Sequence, residues 1–384
     1  MAGAVPWRVG YVIGGLGKGG AEYQLHELLR HLDRERFAPA VFALDAGGYW
    51  AEPIRRLGVP VVELPRRGHV DLGRLWRLRR ALRAFAPHLL QTIRWSGNSY
   101  GRIAALGLGI PAVVAGERAR ALRRPAWQVA LDRLLDRVTD GYLVNCAAIA
   151  EGLTRRERVA RAKITVVPNG IDVSAFPPPS LDRRAARAAA GFDPGRRLVV
   201  QVGRLTAQKD HPTFLRAAAL VARQVPDVDF LVVGEGAERA ALEALARQLG
   251  LAPRVRFLGL RHDVPALMRA SDVLTLTSVY EGFPNVLLEA MASGAVAVAT
   301  AVDGAVEVVV PEETGLLVPP RAPEAVAAAV QRVLGDPVLA ERLARAARRR
   351  VEVEFTVEAM AHRTMAAYAA WLDARGTAAV AAAA

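Results

Sequence analysis

The segment VLTLTSVYEGFPNVLLEAMASGAVAVAT, residues 273–300, contains one complete strand–helix–strand pattern. The apolar runs Val273–Leu276 and Ala295–Ala299 have the length of buried strands. Between them, Pro284 suits the first turn of a helix and Gly294 suits its end. Two short apolar runs joined by a helix predict a βαβ unit, and therefore a parallel sheet.

The same alternation of short apolar runs and longer amphipathic stretches extends along the whole chain. Amphipathic helices are predicted at Glu22–Leu32 and Leu72–Phe85, where leucines recur on one face. Strands are predicted at residues 8–13, 40–44, 59–63, 89–93, 112–115, 141–144 and 164–167, then at 198–202, 230–233, 255–258, 273–276, 295–299 and, as a short edge strand, 315–318. Two such series predict an α/β fold with two Rossmann-like, doubly wound domains that face a central cleft.

A proline-rich segment near the middle of the chain separates the two series. Phe176–Arg197 is the predicted linker, because Pro177, Pro178 and Pro179 fit neither a helix interior nor a central strand. We therefore expect an N-terminal domain at residues 1–175 and a C-terminal domain at 176–355. Residues 356–384 are expected to add a C-terminal helix that packs back on the first domain and ends in a frayed, alanine-rich tail.

Composition limits the class of protein. The chain has 384 residues, of which 52% are hydrophobic, so each domain can bury a core of its own. The single cysteine, Cys146, excludes a disulfide framework within the chain and fits a reducing compartment. The sequence shows no signal-peptide pattern and no apolar run of about 18 residues. We expect a cytoplasmic protein that can bind peripherally to the inner face of the membrane.

The net charge of +13 is concentrated in the first half of the chain. Residues 1–175 contain 27 basic and 15 acidic residues, whereas residues 176–384 contain 24 and 23. A basic surface attracts nucleic acid, anionic lipid headgroups or phosphorylated substrates, and the alternative is an arginine-rich chain with solvated faces. Few aromatic residues interleave with the basic ones and no nucleic-acid motif is present, so we expect no nucleic-acid partner.

A glycine-rich loop, Gly14–Glu22, follows the first predicted strand. Glycines let backbone N–H groups approach an anion, and the N-terminus of the next helix adds partial positive charge. The match to the dinucleotide pattern G-x-G-x-x-G is loose, at Gly15, Gly17 and Gly20, and no clear ribose-binding acid ends the second strand. We interpret the loop as facing a phosphate or an acceptor, with a tight turn as the alternative.

Basic and acidic side chains follow strands of the second domain. Arg204 and Lys209 come after the first of these strands, where two cations can hold a diphosphate; solvated loop charges are the alternative. Glu281 begins the loop at residues 281–285, which is predicted to present free backbone N–H groups to a phosphate at a helix N-terminus. Glu289 lies inside that helix within an apolar run. Because burying an unpaired carboxylate is costly, we interpret Glu289 as functional rather than as a surface residue.

Two further motifs are interpreted as structural. Asp227-Val228-Asp229 has the D-x-D form of a metal-dependent sugar-nucleotide site, but it precedes its strand and is predicted to be a turn at the amino edge of the sheet. Pro168-Asn169-Gly170 reads as a turn that leads into the linker. No His/Cys cluster has metal-ligand spacing, and we predict no metal and no cofactor.

Taken together, these motifs make the chain resemble glycosyltransferase family 4, which has the GT-B fold. The segments that carry the resemblance occur in the order of the family: GGLGKGGAE, VPNGID, VGRLTAQKD, LVVGEGAER, VRFLGLRHDV and EGFPNVLLEAMASGAVAVAT, the last with E-x7-E at Glu281 and Glu289. The resemblance implies a retaining, metal-independent hexosyltransferase with an acceptor-binding N-terminal domain and a C-terminal domain for a UDP- or GDP-sugar. It implies a saccharide or lipid-linked acceptor, in the synthesis of cell-surface polysaccharide or glycolipid.

The resemblance also implies roles for individual residues. Arg204 and Lys209 would hold the diphosphate and, with Glu281, act in catalysis. Glu289 would bind the ribose hydroxyls. The other donor-binding residues it implies are Gly15 and Gly17 across the cleft, Leu260 and Arg261 near the base, and the loop Gly282, Phe283, Pro284 and Asn285.

One departure from the family concerns the acceptor side. Relatives often carry a histidine after the fifth strand, where this chain has Gly116-Glu117-Arg118. Glu117 is therefore the acceptor-side candidate. The alternative function is a sugar-nucleotide epimerase of the same architecture, which would act without an acceptor; the E-x7-E pattern argues against it.

Two arginine-rich stretches predict an anionic membrane surface as a partner. The first is a helix that carries Arg74, Arg77, Arg79, Arg80 and Arg83 with Leu72, Trp76 and Phe85; the second contains Arg118, Arg120, Arg123 and Arg124, followed by Trp127. Arginines beside apolar and aromatic groups suit an interface. The alternative is that the leucines of the helix face the core and the arginines face water.

Overall fold

The computed structural model describes residues 5–67, 71–119, 124–176 and 183–374, with the side chain of Leu72 outside that description. The alanine-rich tail and residues 177–182 of the predicted linker therefore lie outside the described residues. The chain divides into two compact units. The first unit comprises Met1–Gly170 with Val357–Ala384, and the second comprises Ile171–Thr356.

The first unit is built on a parallel sheet. Its strands in the described residues are β1 (Trp7–Ile13), β2 (Phe37–Ala43), β3 (Val61–Glu63), β4 (Leu89–Ile93), β5 (Ala112–Glu117), β6 (Gly141–Val144) and β7 (Ile164–Val166). They lie side by side in the order β3-β2-β1-β4-β5-β6-β7. The helices between them are α1 (Gly20–His31), α2 (Ala51–Arg56), α3 (Leu72–Phe85), α4 (Arg94–Ala105), α5 (Ala126–Leu135) and α6 (Ala147–Gly152), the last continued by a π-helix at Leu153–Glu157.

The second unit repeats this architecture. Its strands are β8 (Arg197–Val202), β9 (Val228–Val233), β10 (Val255–Gly259), β11 (Val273–Leu276), β12 (Val296–Thr300) and β13 (Gly315–Val318), in the parallel order β10-β9-β8-β11-β12-β13. Its helices are α7 (Arg183–Ala189), α8 (His211–Gln224), α9 (Arg239–Gln248), α10 (Val264–Ala270), α11 (Asn285–Ser293), α12 (Ala305–Val308), α13 (Pro323–Gly335) and α14 (Pro337–Glu354). The prediction of an α/β fold with two Rossmann-like domains is confirmed.

The last helix, α15 (Val357–Ala374), belongs to the first unit. It packs on α1 and buries Met360, Tyr368 and Leu372 in the core that β1 and β4 share. The ring of Tyr368 lies 6.0 Å from that of Phe37, and its hydroxyl donates to Gln91 Oε1. A helix from the end of the chain therefore completes the core of the N-terminal sheet.

Helix α3 shows why the leucine face and the arginine face separate. The side chain of Asp71 accepts a hydrogen bond from the N–H of Arg74 at 2.9 Å, which caps the helix. Leu78 and Leu82 are fully buried against the sheet. For these two leucines, the alternative in which they face the core is therefore correct. None of the described helices has the combination of length and hydrophobicity that a membrane-spanning segment requires.

Candidate active site

In each unit the strand order reverses at one point, between β1 and β4 and between β8 and β11. Open parallel sheets bind ligands outside the carboxyl ends of the strands at such a switch point. In the second unit this point is formed by the segment Gly203–Lys209 after β8 and the segment Thr277–Pro284 after β11. The predicted site residues Arg204, Lys209 and Glu281 all lie in these two segments.

Lys209 and Glu281 form an ion pair at this switch point. Lys209 Nζ donates to Glu281 Oε1, and Ser278 Oγ donates to the same oxygen at 2.6 Å. Both charged side chains are largely buried, so the interaction is shielded from water. The pairing fixes the ammonium group of Lys209 beside the loop that precedes α11.

Arg204 differs from Lys209 in its surroundings. It is exposed on the loop after β8, and its guanidinium has no ion-pair partner in the described part of the chain. A free guanidinium at a strand end can bind a phosphate through two parallel hydrogen bonds. The switch point therefore presents one fixed cation and one free cation.

The loop after β12 fixes the position of Glu281. The backbone N–H of Glu281 donates to Asp303 Oδ2 at 2.9 Å, and the N–H of Gly304 donates to Gly282 O at 3.0 Å. A Cβ on Gly304 would lie 2.0 Å from Gly282 O, so only glycine fits there. Asp303 belongs to no motif of the sequence; its position just beyond the end of β12 is the signal that could have indicated it.

Helix α11 begins at Asn285 with Pro284 as its N-cap residue, and it ends at Gly294 with φ 78°. The expectation that the loop offers free N–H groups from Glu281 onward is wrong for Glu281, because Asp303 already accepts from it. Phe283 packs its ring 5.5 Å from that of Phe355, which anchors the loop to the core.

Glu289 lies on α11, four residues beyond its start, and is partly buried. No hydrogen bond or ion pair engages its carboxylate, and none joins it to Glu281 or Lys209, within the residues that the structure describes. Burial raises its pKa to about 7. An unpaired carboxylate suits neutral hydroxyl donors better than a phosphate, which it would repel.

His211, the first residue of α8, is a buried group that sequence reasoning missed. Within the described residues neither ring nitrogen has a hydrogen-bond partner. Burial, and then the nearby charge of Lys209, lower its pKa to about 4. A neutral imidazole is therefore expected beside Lys209 at physiological pH.

Leu260 and Arg261 follow β10 and, because the sheet is parallel, lie at the same edge as the ion pair. Leu260 is 62% exposed, and Arg261 pairs with Asp263 at 2.6 Å. An exposed apolar side chain at this edge is compatible with a base-binding role, which stays a prediction.

Glu117, the acceptor-side candidate, lies at the switch point of the first unit together with Gly15 and Gly17, which were predicted to contact the donor across the cleft. Glu117 is buried at the end of β5, where it accepts from Asn98 Nδ2 at 3.0 Å and from Arg124 Nη2 at 2.8 Å. A Cβ on Gly15 would meet Asp45 Oδ2 at 3.3 Å, whereas the space beside Gly17 is open. Glu117 and Gly15 line one cavity of about 410 Å³.

The D-x-D motif has a structural role. Asp227 pairs with Arg197 at 2.5 Å and Asp229 with Arg196 at 2.8 Å, at the amino end of the sheet. The prediction of a turn is wrong for Val228 and Asp229, because both belong to β9, whose register with β8 extends back to Val228. Among the described residues, no group of three or more His, Cys, Asp or Glu side chains is placed to hold a metal ion.

Two family descriptions match the chain, one in each half. "Glycosyltransferase Family 4" matches residues 18–175, and "Glycosyl transferases group 1" matches residues 182–350.

Individual proteins with similar sequences include two bacterial enzymes. The glycogen synthase of Mycobacterium tuberculosis is 32% identical over 243 residues, which cover 63% of this chain and 56% of that protein. The D-inositol 3-phosphate glycosyltransferase of Segniliparus rotundus is 30% identical over 305 residues, which cover 75% of this chain and 67% of that protein. The chain thus spans little more than half the length of the first of these relatives.

Among solved structures, Anabaena HepE in complex with UDP-glucose has the same fold. The alignment covers 94% of this chain and 99% of that chain, with a TM-score of 0.83 and 21% sequence identity. This similarity confirms the GT-B fold class.

Proposed function

The chain belongs to the family 4 glycosyltransferases, and from that premise we propose that it is a retaining hexosyltransferase that moves a sugar from a nucleotide-sugar donor to a hydroxyl group of an acceptor. The observation that carries the proposal is the pair of cations at the switch point of the second unit. Lys209 is fixed there by Glu281, and Arg204 is free. Such a pair matches a diphosphate leaving group.

In the proposed reaction, the bond between the anomeric carbon and the diphosphate oxygen breaks. Negative charge develops on that oxygen. Lys209, which Glu281 holds in place, stabilises the charge without reorganising, as an oxyanion hole does, and the free Arg204 adds a second positive charge. The acceptor oxygen bonds to the anomeric carbon on the same face, and its proton passes to the departing phosphate oxygen. Glu281 and the loop Gly282–Asn285 meet the sugar and the phosphates.

The remaining donor contacts follow the same edge of the sheet. Glu289 accepts hydrogen bonds from the ribose hydroxyls, which its lack of a cation partner favours. The base lies near Leu260 and Arg261, beyond β10. UDP- and GDP-sugars are the donors to test, and UDP-glucose comes first because the HepE structure of the same fold contains it.

The acceptor that we propose is a saccharide or a lipid-linked saccharide, in the synthesis of cell-surface polysaccharide or glycolipid. The test is product analysis by mass spectrometry after incubation with UDP- and GDP-sugars, with and without saccharide acceptors. A product heavier than the acceptor by one hexose supports transfer. An isomer of the donor that forms without acceptor would indicate an epimerase. Both matching families are glycosyltransferases, so the comparisons give the epimerase no support.

We expect activity to survive chelation, because the proposed leaving-group charge is met by Arg204 and Lys209 rather than by a divalent ion. Turnover in excess EDTA should stay within about twofold of turnover without it. The measurement compares initial rates before and after EDTA, with added Mg²⁺ or Mn²⁺ as the control. Loss of activity in EDTA that either ion restores would refute metal independence.

The proposed membrane surface is smaller than the arginine count suggested. Arg74 is buried, where its guanidinium donates to Leu64 O at 3.0 Å and pairs with Asp45, so it is a structural residue. Arg77 pairs with Asp71 at 2.8 Å. In the second stretch, Arg118 donates to Asn169 Oδ1 and Arg124 pairs with Glu117 and Asp132, while Arg120 and Arg123 lie outside the described residues.

What remains exposed on and beside α3 still suits an interface. Trp76 is 62% exposed, and the guanidinium of Arg80 lies over its ring. Arg83 is exposed on the same helix. Leu106 is also exposed, and its carbonyl accepts a hydrogen bond from Arg79. Each cation near an anionic bilayer adds about 1 kcal/mol of attraction. We propose that these residues bind the inner face of the membrane.

The protein is expected to sediment with anionic vesicles at low salt, to remain in the supernatant with neutral vesicles, and to be released at high salt. Replacing Arg80 and Arg83 with glutamate should abolish sedimentation, whereas Arg223→Glu, on α8 of the second unit, should not. A wild-type protein that stays in the supernatant with anionic vesicles at low salt would rule out this surface.

A further inference from the structure

The cavity at the switch point of the first unit has features that indicate which acceptor it fits. It lies where the loop after β1 meets the segment after β4, and its volume of about 410 Å³ suits a single sugar ring with part of its neighbour. Its charged lining consists of Glu22, Arg94, Glu117 and Arg124.

The charges of this cavity cancel in pairs. Arg94 Nη1 lies 3.1 Å from Glu22 Oε1, and Arg124 Nη2 lies 2.8 Å from Glu117 Oε1. A phosphoryl group is held best by a cation that has no carboxylate partner, as Arg204 is in the second unit, because a carboxylate beside the cation repels the anion. Both cations of the described lining, Arg94 and Arg124, are paired in this way, so the part of the lining that the structure describes offers a phosphate no unpaired cation.

The glycine-rich loop is surrounded by acids as well. Glu22 lies in the first turn of α1, where its charge offsets the partial positive charge of the helix N-terminus. On the other side, a Cβ on Gly15 would be 3.3 Å from Asp45 Oδ2. A carboxylate thus lies on each side of the glycine-rich loop, one at the start of α1 and one beside Gly15.

An aromatic wall borders the cavity. Trp95 lines it, and Trp127 packs edge-on against Trp95 with ring centres 5.4 Å apart. Trp127 is 58% exposed, which is unusual for so large an apolar ring beside polar groups. The electron-rich face of an indole attracts the weakly positive C–H groups on one face of a sugar ring.

Two polar atoms of the lining residues lack partners. In the described residues, neither Trp95 Nε1 nor Glu22 Oε2 has a hydrogen bond. One is a donor and the other an acceptor, and a hydroxyl group can satisfy either. Arg94, between them in the wall, has φ 62°, a strained value for a non-glycine residue and one that concentrates at ligand sites.

We infer that this cavity binds an uncharged saccharide ring of the acceptor, with Trp95 and its neighbour Trp127 as the aromatic contact, and disfavours a phosphorylated one. The inference rests on the proposed function, because it names the acceptor class of that reaction. The D-inositol 3-phosphate glycosyltransferases are named for a phosphorylated compound, whereas the acceptor that we infer for this chain is uncharged.

Binding to the full-length protein can be measured by saturation-transfer NMR without turnover. The probes are glucose, galactose, mannose, N-acetylglucosamine and maltotriose, with the 6-phosphates of the four monosaccharides, all at millimolar concentration. At least one neutral sugar should bind, and its phosphate should bind more weakly. Trp127→Ala should weaken that binding about tenfold, whereas Leu134→Ala, an exposed apolar residue on the same helix, should not change it.

Glu22→Gln adds a test of charge. Freeing Arg94 should raise the affinity for the phosphorylated probe relative to its neutral parent by several-fold. The inference is overturned if the phosphates bind more tightly than the neutral sugars to the wild type, if no neutral sugar binds, or if Trp127→Ala behaves like the control. UDP-glucose binding, followed by thermal shift in the same samples, tests the proposed function separately.

Discussion

Lys209→Ala is expected to lower kcat by about 100-fold, because the variant loses a preorganised cation from the oxygen that becomes charged in the transition state. Arg204→Ala should lower kcat by about tenfold or more, since a solvent-exposed guanidinium is partly replaced by water. Initial rates at saturating donor measure both effects. Arg223→Ala, an exposed arginine on the far end of α8, is the matched control and should leave kcat unchanged.

Loss of Lys209 also leaves the carboxylate of Glu281 buried without its cation. Circular dichroism and the thermal midpoint must therefore show that the variant is folded before its rate is interpreted. Near-normal kcat in both folded variants would remove the diphosphate role from these residues.

Glu281→Gln is the second change with a large expected effect. Glutamine keeps the shape of the side chain and can still accept from Ser278, but it no longer holds Lys209 by charge. We expect kcat to fall by at least about tenfold while donor affinity changes little. Glu289→Gln should do the opposite and raise the donor Kd several-fold with a smaller effect on kcat, since its carboxylate is proposed to bind the ribose.

The pH dependence of donor affinity tests the proposed ribose-binding role of Glu289 without a measurement of kcat. Because burial raises its pKa to about 7, the carboxylate is ionised above pH 7 and protonated below it. A ribose hydroxyl donates more strongly to the ionised form, so donor affinity should rise between pH 6 and pH 8 in the wild type. Glu289→Gln should lose that part of the pH dependence, and identical pH profiles for the variant and the wild type would contradict the role of Glu289. If Glu281→Gln mainly raised Kd and Glu289→Gln mainly lowered kcat, the roles assigned to the two residues would be wrong.

The sequence predicted the strands well because buried parallel strands are continuous apolar runs. Their ends were less predictable, as β2 shows: it begins at Phe37 rather than Ala40 because Phe37 pairs with Trp7 at the start of β1. Register between strands, rather than local hydrophobicity, determined that boundary.

Residues of the site that belong to a sequence motif could be predicted. Residues that join the site only through tertiary contacts could not. Lys209 and Glu281 are 72 positions apart, and parallel topology brings their strand ends together. Asp303 follows the end of a strand, but its hydrogen bond to Glu281 depends on how two separate loops meet, which the sequence around it does not show. Arg74 reads as a surface residue in a helical pattern, but the carbonyl of Leu64 and the side chain of Asp45 take up its guanidinium.

We propose that the second unit binds a nucleoside-diphosphate sugar through Arg204 and Lys209. The most direct measurement is the thermal midpoint of the full-length protein with UDP, GDP, UDP-glucose and other UDP- and GDP-sugars, for the wild type and the Arg204→Ala/Lys209→Ala double variant. At about 100 times its Kd, a ligand stabilises by about 2.7 kcal/mol, which corresponds to an increase of about 5 °C or more for a unit of this size. At least one of these ligands should give such an increase in the wild type and little or none in the double variant. No increase with any of them in the wild type, or an equal increase in the double variant, would contradict this proposal.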